Sequence, residues 1–327
     1  MPASPLIVVA RPLLKETMAQ LQELGAVELL QDLDGAAAAR ALRQAAVLVT
    51  LPNFPVDAAL LERCERALLI ANHAVGYDNV DLDAAARLGI FVSNTPDVLT
   101  GATADFTFAL LLAAARRLGE GERVLRAGRF DGWAVDYMLG HEVHHKTLGV
   151  VGYGRIGRAV ARRARGFDME VLFTDPDVTA AAEHPDDRRV GLGELLREAD
   201  FISLHVALSA ATRHLIDAQR LALMKPGGIL INTSRGPVVD EPALAAALRE
   251  GRLAAAGLDV YEREPEVHPE LLALENVVLA PHLGSATHET RLAMGARMVE
   301  SVGRVLGGEV PRFAVNTPTA PRLQPPT

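Results

Sequence analysis

Three side chains of complementary chemistry follow short apolar runs in the C-terminal half of the sequence. They are Arg235 in Asn232-Thr-Ser-Arg-Gly-Pro237, Glu264 in Asp259-Val-Tyr-Glu-Arg-Glu-Pro265 and His282 in Ala280-Pro-His-Leu-Gly284. An arginine grips a carboxylate through two parallel N–H bonds, which a lysine cannot do. A histidine exchanges protons near neutral pH, and a carboxylate on its other ring nitrogen fixes its tautomer. Each also has a plain reading: a solvated loop charge, a surface acid with Glu262 as its rival, a structural histidine. Read together at successive strand ends, they suit reduction of a 2-keto acid, in which hydride reaches C2 and a proton must reach the developing alkoxide.

A hydride chemistry needs a cofactor, and one stretch is built to hold it. The apolar run Leu148 to Val151 leads into Gly152-Tyr-Gly-Arg-Ile-Gly157, a helical segment runs from Arg155 to Arg165, and a second apolar run from Met169 to Thr174 ends on Asp175. This is the layout of a dinucleotide-binding βαβ unit. Gly152 permits the turn, Gly154 lets a pyrophosphate approach the backbone, and Gly157 lets helix pack close to strand. The helix N-terminus offers N–H groups to the phosphates. Asp175 is placed to accept from a ribose diol, and its charge repels a 2′-phosphate. His141-Glu-Val-His-His145 matches H-E-x-x-H, but Gly140 precedes it and Lys146-Thr147 lead straight into a strand. No helix can then put both histidines on one face, and the sequence implies no metal.

The elements that must position these residues alternate. Strands are expected at Leu6 to Ala10, Val27 to Leu30, Ala46 to Leu51, Leu68 to Ala71 and Ile90 to Ser93. Helices fall between them at Leu13 to Leu24 (with Pro12 in the first turn), Ala36 to Gln44, Asp57 to Arg63 and Asp81 to Leu88. That rhythm implies a parallel sheet covered on both faces, with ligands at the strands' carboxyl ends and so near the loops after Thr50 and Ala71. A long helix from about Ala102 to Leu118 is apolar nearly all round and calls for cover by a second domain and a second subunit. Val124 to Lys146 is irregular. Beyond the glycine motif, strands at Ala199 to His205, Gly228 to Asn232, Ala254 to Leu258 and Val277 to Ala280 extend one parallel sheet. Helices are expected at Asp217 to Leu223, Pro242 to Glu250 and Glu289 to Leu306, and the last part of Pro311 to Thr327 reads as disordered.

Composition narrows the class. At 327 residues the chain suggests two domains, and its 49% apolar and 23% charged content is that of a globular protein. A net charge of −8 gives no field for nucleic acid, and no run approaches the ~18 apolar residues that span a bilayer. The single cysteine, Cys64, excludes an intramolecular disulfide. The first ten residues lack a basic region before their apolar stretch and read as a strand, so the expected location is cytoplasmic.

The segments Ala71 to Asn79, Asn94 to Thr100, Gly149 to Gly157, Asn232 to Asp240, Gly257 to Val260 and Pro281 to Ala286 together resemble the D-isomer-specific 2-hydroxyacid dehydrogenases, most closely the glyoxylate/hydroxypyruvate reductases. The resemblance runs from about Leu51 to Val315. It implies an α/β fold of two Rossmann-like domains: a discontinuous, flavodoxin-like substrate domain (1–98 and 290–327) and a doubly wound NAD-binding domain (99–289), assembled as a homodimer. It implies Arg235, Glu264 and His282 as catalytic, selecting Glu264 over Glu262 because the family's acid immediately precedes the proline. The backbone N–H groups of Val75 and Gly76 would take the substrate carboxylate, with Leu51 lining the pocket. Gly152 to Gly157 (Tyr153, Gly154, Arg155 and Ile156 included), Asp175, Val206, Ala207, Thr233, Ser234, Arg235, His282 and Gly284 would lie along the cofactor, and Asp259 would hold the nicotinamide amide.

Three departures bear on specificity. NADPH-using relatives carry Ser-Arg-Thr where this chain has Asp175-Pro-Asp177, which argues for NADH. Ala207 replaces a usual proline beside the cofactor. Tyr137 stands where some reductases have a tryptophan near the pocket mouth. The expected activity is NAD(P)H-dependent reduction of glyoxylate and hydroxypyruvate to D-2-hydroxy acids. Relatives acting on 2-ketogluconate, phosphoglycerate or D-lactate are the nearest alternative. A non-catalytic, NADH-sensing corepressor-like protein is the alternative of another class, and the intact Arg235, Glu264 and His282 argue against it.

Overall fold

The computed structural model describes residues 4–30, 35–177 and 181–323. They form two compact units, Met1–Leu99 with Thr287–Thr327, and Thr100–Ala286. In the first unit, strands β1 (Leu6–Val9), β2 (Ala26–Leu29), β3 (Val47–Thr50), β4 (Leu69–Asn72) and β5 (Phe91–Ser93) alternate with helices α1 (Lys15–Leu24), α2 (Ala36–Gln44), α3 (Ala58–Arg63) and α4 (Leu82–Arg87). The strands pair in parallel in the order β2-β1-β3-β4-β5, a flavodoxin-like winding. β3 and β4 are buried along their whole length, so their sequences are continuous apolar runs ending in a polar residue rather than alternating patterns. Asp57 and Asp81 cap α3 and α4 by accepting from the N–H groups of Leu60 and Ala84.

The second unit holds α5 (Thr100–Ala115), α6 (Leu118–Arg126), β6 (Thr147–Val151), α7 (Arg155–Ala164), β7 (Glu170–Thr174), β8 (Arg188–Arg189), α8 (Leu192–Glu198), β9 (Phe201–Leu204), α9 (Ala218–Leu221), β10 (Ile229–Asn232), α10 (Glu241–Arg249), β11 (Ala255–Leu258), α11 (Pro269–Ala273) and β12 (Val277–Leu279). Its strands are parallel in the order β12-β11-β10-β9-β6-β7-β8. Strand order therefore reverses between β6 and β9, the switch point where doubly wound sheets bind ligands. The chain then returns to the first unit through α12 (His288–Leu306), capped by Thr287 accepting from Thr290 N. The chain crosses back between Ala286 and Thr287.

Several expectations need correction. Pro12 is not in the first turn of α1, because the chain stays extended through Leu14 (ψ 146°) and the helix opens at Lys15. The long helix stops at Ala115, since Arg117 adopts φ 53° and pairs through its guanidinium with Glu120, and α6 then carries the chain to Arg126. The apolar surface of α5 lies against α7, β10, β11 and β12, so much of its cover comes from its own unit. β8, α8 and α11 did not stand out in the sequence. In the proline-rich C-terminal segment, of which only the last part reads as disordered, residues 311–323 pack on the first unit: Ala314 bridges Ser93, Asn316 bonds both Val92 N and Ile90 O, and Arg322 donates to the carbonyls of Cys64 and Glu65. Residues 324–327 lie outside the described residues. No described helix is long and apolar enough to cross a membrane.

Candidate active site

The second unit gathers chemistry at the carboxyl ends of its strands. After β6, Gly152 takes φ +93°. A methyl group there would lie 2.7 Å from the carbonyl carbon and oxygen of His205 and 2.9 Å from Val206 N, just past β9. Gly152 therefore lets the two strand ends of the switch point touch. Gly157, one turn into α7, packs so closely that a Cβ would run into the Gly152 carbonyl. Gly154, the N-cap of α7, is exposed and a Cβ there would meet nothing within 4 Å. The outer glycines are filled by protein and the middle one faces open space, which is the division a pyrophosphate seated on a helix N-terminus requires. The residues present thus fit a dinucleotide.

Asp175, at the end of β7, accepts from Tyr153 N at 2.6 Å and from Asp177 N at 2.9 Å. Its carboxylate is fixed beside the glycine turn, and Arg189 braces the same loop by donating to the carbonyls of Asp175 and Asp177, each at 2.9 Å. The Tyr153 side chain turns inward: its ring stacks on Phe173 at 3.9 Å and its hydroxyl bonds Asp187. Burial, with that bond second, pushes its hydroxyl up to about 12. Only the backbone of Tyr153 faces the turn. Arg155 is exposed and Ile156 half-buried on the first turn of α7, and Ala207, exposed past β9, accepts from Thr212 Oγ1 at 2.7 Å.

Past β10, Asn232 builds the turn that carries Arg235. Its Nδ2 donates to Arg235 O at 3.0 Å, while its Oδ1 accepts from Ser234 N and Oγ. Thr233 is tied to α5: Thr107 spends its hydroxyl proton on Thr103 O, so at 2.9 Å it must accept from Thr233. Gly236 then lies flat against the loop after β11, where any Cβ would strike the Tyr261 carbonyl and Glu262 N. That close approach brings Arg235 near Glu264.

Glu264 Oε2 meets His282 Nδ1 at 2.9 Å, and Glu264 Oε1 accepts from Tyr261 N at 3.1 Å. Burial alone would raise this carboxyl. The bond and charge of His282, the Tyr261 N–H and the Arg235 charge outweigh it and hold the carboxyl below its ordinary value. Glu262, the rival acid, is used elsewhere: it accepts from Glu241 N and pairs with His214 Nε2, both at 3.1 Å, while its own N–H bonds the Glu241 carboxylate at 2.7 Å. His282 itself sits at φ +57°, an uncommon conformation for a non-glycine residue. Its N–H donates to Asp259 O, and Tyr261 Oη reaches across to Ala280 O at 2.9 Å, tying the loops after β11 and β12 together.

Asp259 is buried, and its two oxygens accept from Leu283 N at 2.6 Å and Gly284 N at 2.8 Å. Burial raises its carboxyl despite those donors and the nearby His282 charge. The second unit thus brings together Arg235, Glu264 and His282 with the proposed cofactor residues. Leu51, Val75 and Gly76 belong to the first unit, in the loops after β3 and β4. Tyr137 lies in the exposed stretch after α6 with its ring 6.0 Å from that of Phe130. Residues 141–145 of the H-E-x-x-H run are not helical. Sequence reasoning passed over Asn232 and Tyr261 as positioning groups. Asn232 was detectable, since an asparagine side chain commonly bonds the backbone two residues after it; the reach of Tyr261 was not.

Comparisons with known proteins point to one family. Residues 108–284 match the model of the D-isomer specific 2-hydroxyacid dehydrogenase NAD binding domain. A glyoxylate reductase of Thermococcus litoralis is 49% identical over 280 residues, 84% of this chain and 85% of that protein. Among solved structures, the TT0316 protein of Thermus thermophilus superposes with a TM-score of 0.88 at 42% identity, covering 95% of this chain and 99% of that one. The NADPH-dependent glyoxylate/hydroxypyruvate reductase of Sinorhizobium meliloti, solved with NADP and malonate, gives 0.87 at 33% identity, covering 96% and 97%.

Proposed function

Since the chain belongs to the D-isomer-specific 2-hydroxyacid dehydrogenase family, we propose that it reduces glyoxylate and hydroxypyruvate to the corresponding D-2-hydroxy acids. The observation that carries this reading is the Glu264–His282 pair, held at 2.9 Å at the end of the sheet that also carries the Gly152 turn. With Nδ1 engaged by Glu264, His282 presents Nε2 to deliver a proton to the alkoxide oxygen that forms at C2. Glu264 fixes the tautomer and stabilises the charged ring before transfer. Arg235 binds the keto acid through its guanidinium and polarises the carbonyl. The N–H groups of Val75 and Gly76 take the substrate carboxylate, and Leu51 lines the pocket.

Gly154 and the N-terminus of α7 would hold the pyrophosphate of a nicotinamide dinucleotide, Asp175 the adenine-side ribose, and Asp259 the carboxamide. The bound group supplies the hydride. We assign NADH as the preferred form. Asp175 is pinned by two backbone donors and cannot swing aside, so a 2′-phosphate would be set against a fixed negative charge. We also assign a homodimer. Leu118, Leu125, Trp133, Val135 and Leu139 are exposed, Trp133 by 82%, in one stretch of the second unit, and a second copy is the partner that would cover them.

Initial rates of cofactor oxidation, with glyoxylate and hydroxypyruvate each offered NADH or NADPH, test the reading. Fast NADH-dependent turnover is expected. Turnover confined to NADPH would overturn the role of Asp175, and no turnover with either acid despite NADH binding would overturn the activity.

A further inference from the structure

Asn94 lies in the segment Asn94-Thr-Pro-Asp97, which the sequence singles out and the catalytic residues leave unused. Its surroundings in the first unit give it a task. Three successive carbonyls of the turn after β4 are held by donors: Ala74 O by Thr95 N, Val75 O by Asn94 Nδ2 and Gly76 O by Asn72 Nδ2, each at 2.8 Å. All three peptides are trans. In a trans peptide the C=O and the N–H of the next residue point in opposite directions. The N–H groups of Val75, Gly76 and Tyr77 are therefore turned away from those donors, and none of them donates to an acceptor among the described residues. Successive backbone N–H groups left open in a turn make an anion-binding concavity.

The three holds are not equivalent. That on Ala74 is backbone to backbone. Asn72 sits at the end of β4, where it also bonds Thr50 and Asn79, so replacing it would disturb several segments at once. Asn94 is 8% exposed, and its own N–H is anchored to Phe313 O at 3.2 Å. Its side chain makes one bond to the turn, to Val75 O.

We propose that Asn94 is a positioning residue for substrate: by holding the Val75 carbonyl it aims the Gly76 N–H, and with it the concavity, at the carboxylate of the keto acid. This rests on the assignment of that carboxylate to Val75 and Gly76. Asn94 touches neither substrate nor cofactor. It decides where the anion-binding N–H groups point, and so acts on substrate affinity more than on the proton or hydride steps.

The probe is oxamate, a carboxylate that cannot be reduced, titrated into the enzyme–NADH complex. Asn94→Leu keeps the size and removes the donor. Asn94→Asp puts an acceptor against Val75 O at neutral pH and regains a donor when protonated. For Asn94→Leu, oxamate affinity is expected to fall about tenfold, with NADH affinity within about twofold and KM for glyoxylate rising more than kcat falls. For Asn94→Asp, the deficit relative to wild type is expected at pH 8 and to narrow towards pH 5, a recovery that loss of packing would not give. Unchanged oxamate affinity in Asn94→Leu, or parallel loss of NADH binding without the acid recovery in Asn94→Asp, overturns the role of Asn94. If wild type itself binds oxamate no better than neutral acetamide, the carboxylate assignment has failed, and the proposal with it.

Discussion

Alanine placed at Gly154 and, separately, at Gly157 should separate cofactor binding from folding. At Gly154 the backbone is extended (φ −78°, ψ −158°), a conformation open to alanine, and the new methyl meets nothing within 4 Å. Glycine is the better N-cap of the two, so the fold should lose about 0.5–1 kcal/mol. The methyl would instead occupy the space over the N-terminus of α7. Loss of one charge-assisted backbone bond to a phosphate, about 1.5–3 kcal/mol, corresponds to a roughly 10- to 100-fold weaker complex with NADH. At Gly157 the methyl would be driven against the Gly152 carbonyl and to 3.0 Å from Val150 Cγ1. Overpacking against backbone costs about 1–3 kcal/mol, of which a better helix former recovers up to about 1. A net loss of about 1–2 kcal/mol lowers Tm by roughly 2–8 °C in a unit of this size. Thermal melts and titration of NADH fluorescence read both quantities. A Gly154→Ala protein that binds NADH within about twofold of wild type would refute the seating of the pyrophosphate. One that melts as low as Gly157→Ala would refute the open face.

Three further outcomes follow from particular contacts. In Glu264→Gln the partner of His282 keeps its shape and loses its charge, which is worth about 1–2 kcal/mol in a bond of this type; kcat/KM for keto-acid reduction should fall roughly 5- to 30-fold, and an unchanged value would refute the coupling. Burial, aided by the charge of Arg291, pushes His73 down to about 4, so the folded chain keeps it neutral while the unfolded chain takes a proton near 6.5. The associated stability, about 3 kcal/mol, is present above pH 6.5 and lost as pH falls towards 4. Urea melts from pH 7 to 4.5 should show a shallower loss in His73→Phe than in wild type, with the residue set by groups such as His205, which burial pushes down to about 3. Trp133→Glu combined with Leu125→Glu should halve the mass measured by light scattering, and an unchanged mass would place the subunit contact elsewhere.

The dinucleotide unit was legible because its glycines are required one by one and each requirement leaves a local trace. The parallel winding of both sheets was legible from the rhythm of short apolar runs. Helix ends were read less well where the cause is a single backbone angle: nothing in Ala-Ala-Ala-Arg-Arg-Leu announces that Arg117 will turn to φ 53° and close on Glu120. α8 carries no side-chain cap and has Gly193 in its first turn, so only its buried Leu195 and Leu196 mark it. α11 could have been found, since Pro269 occupies the position where proline starts helices. Arg235, Glu264 and His282 were recognisable by type and place, but choosing Glu264 over Glu262 from the residues alone was not possible. That choice depends on Glu241, which engages Glu262 from the start of α10. The carbonyl hold of Asn94 on Val75 is likewise non-local, and the sequence shows the asparagine without showing what it reaches.

The account turns on His282 as the proton donor to the alkoxide. The most direct measurement is the single-turnover oxidation of bound NADH by His282→Ala at saturating glyoxylate, alongside its NADH affinity. The account predicts a rate lower by roughly 10²- to 10⁴-fold with NADH affinity within about twofold of wild type. A rate within tenfold of wild type would contradict it.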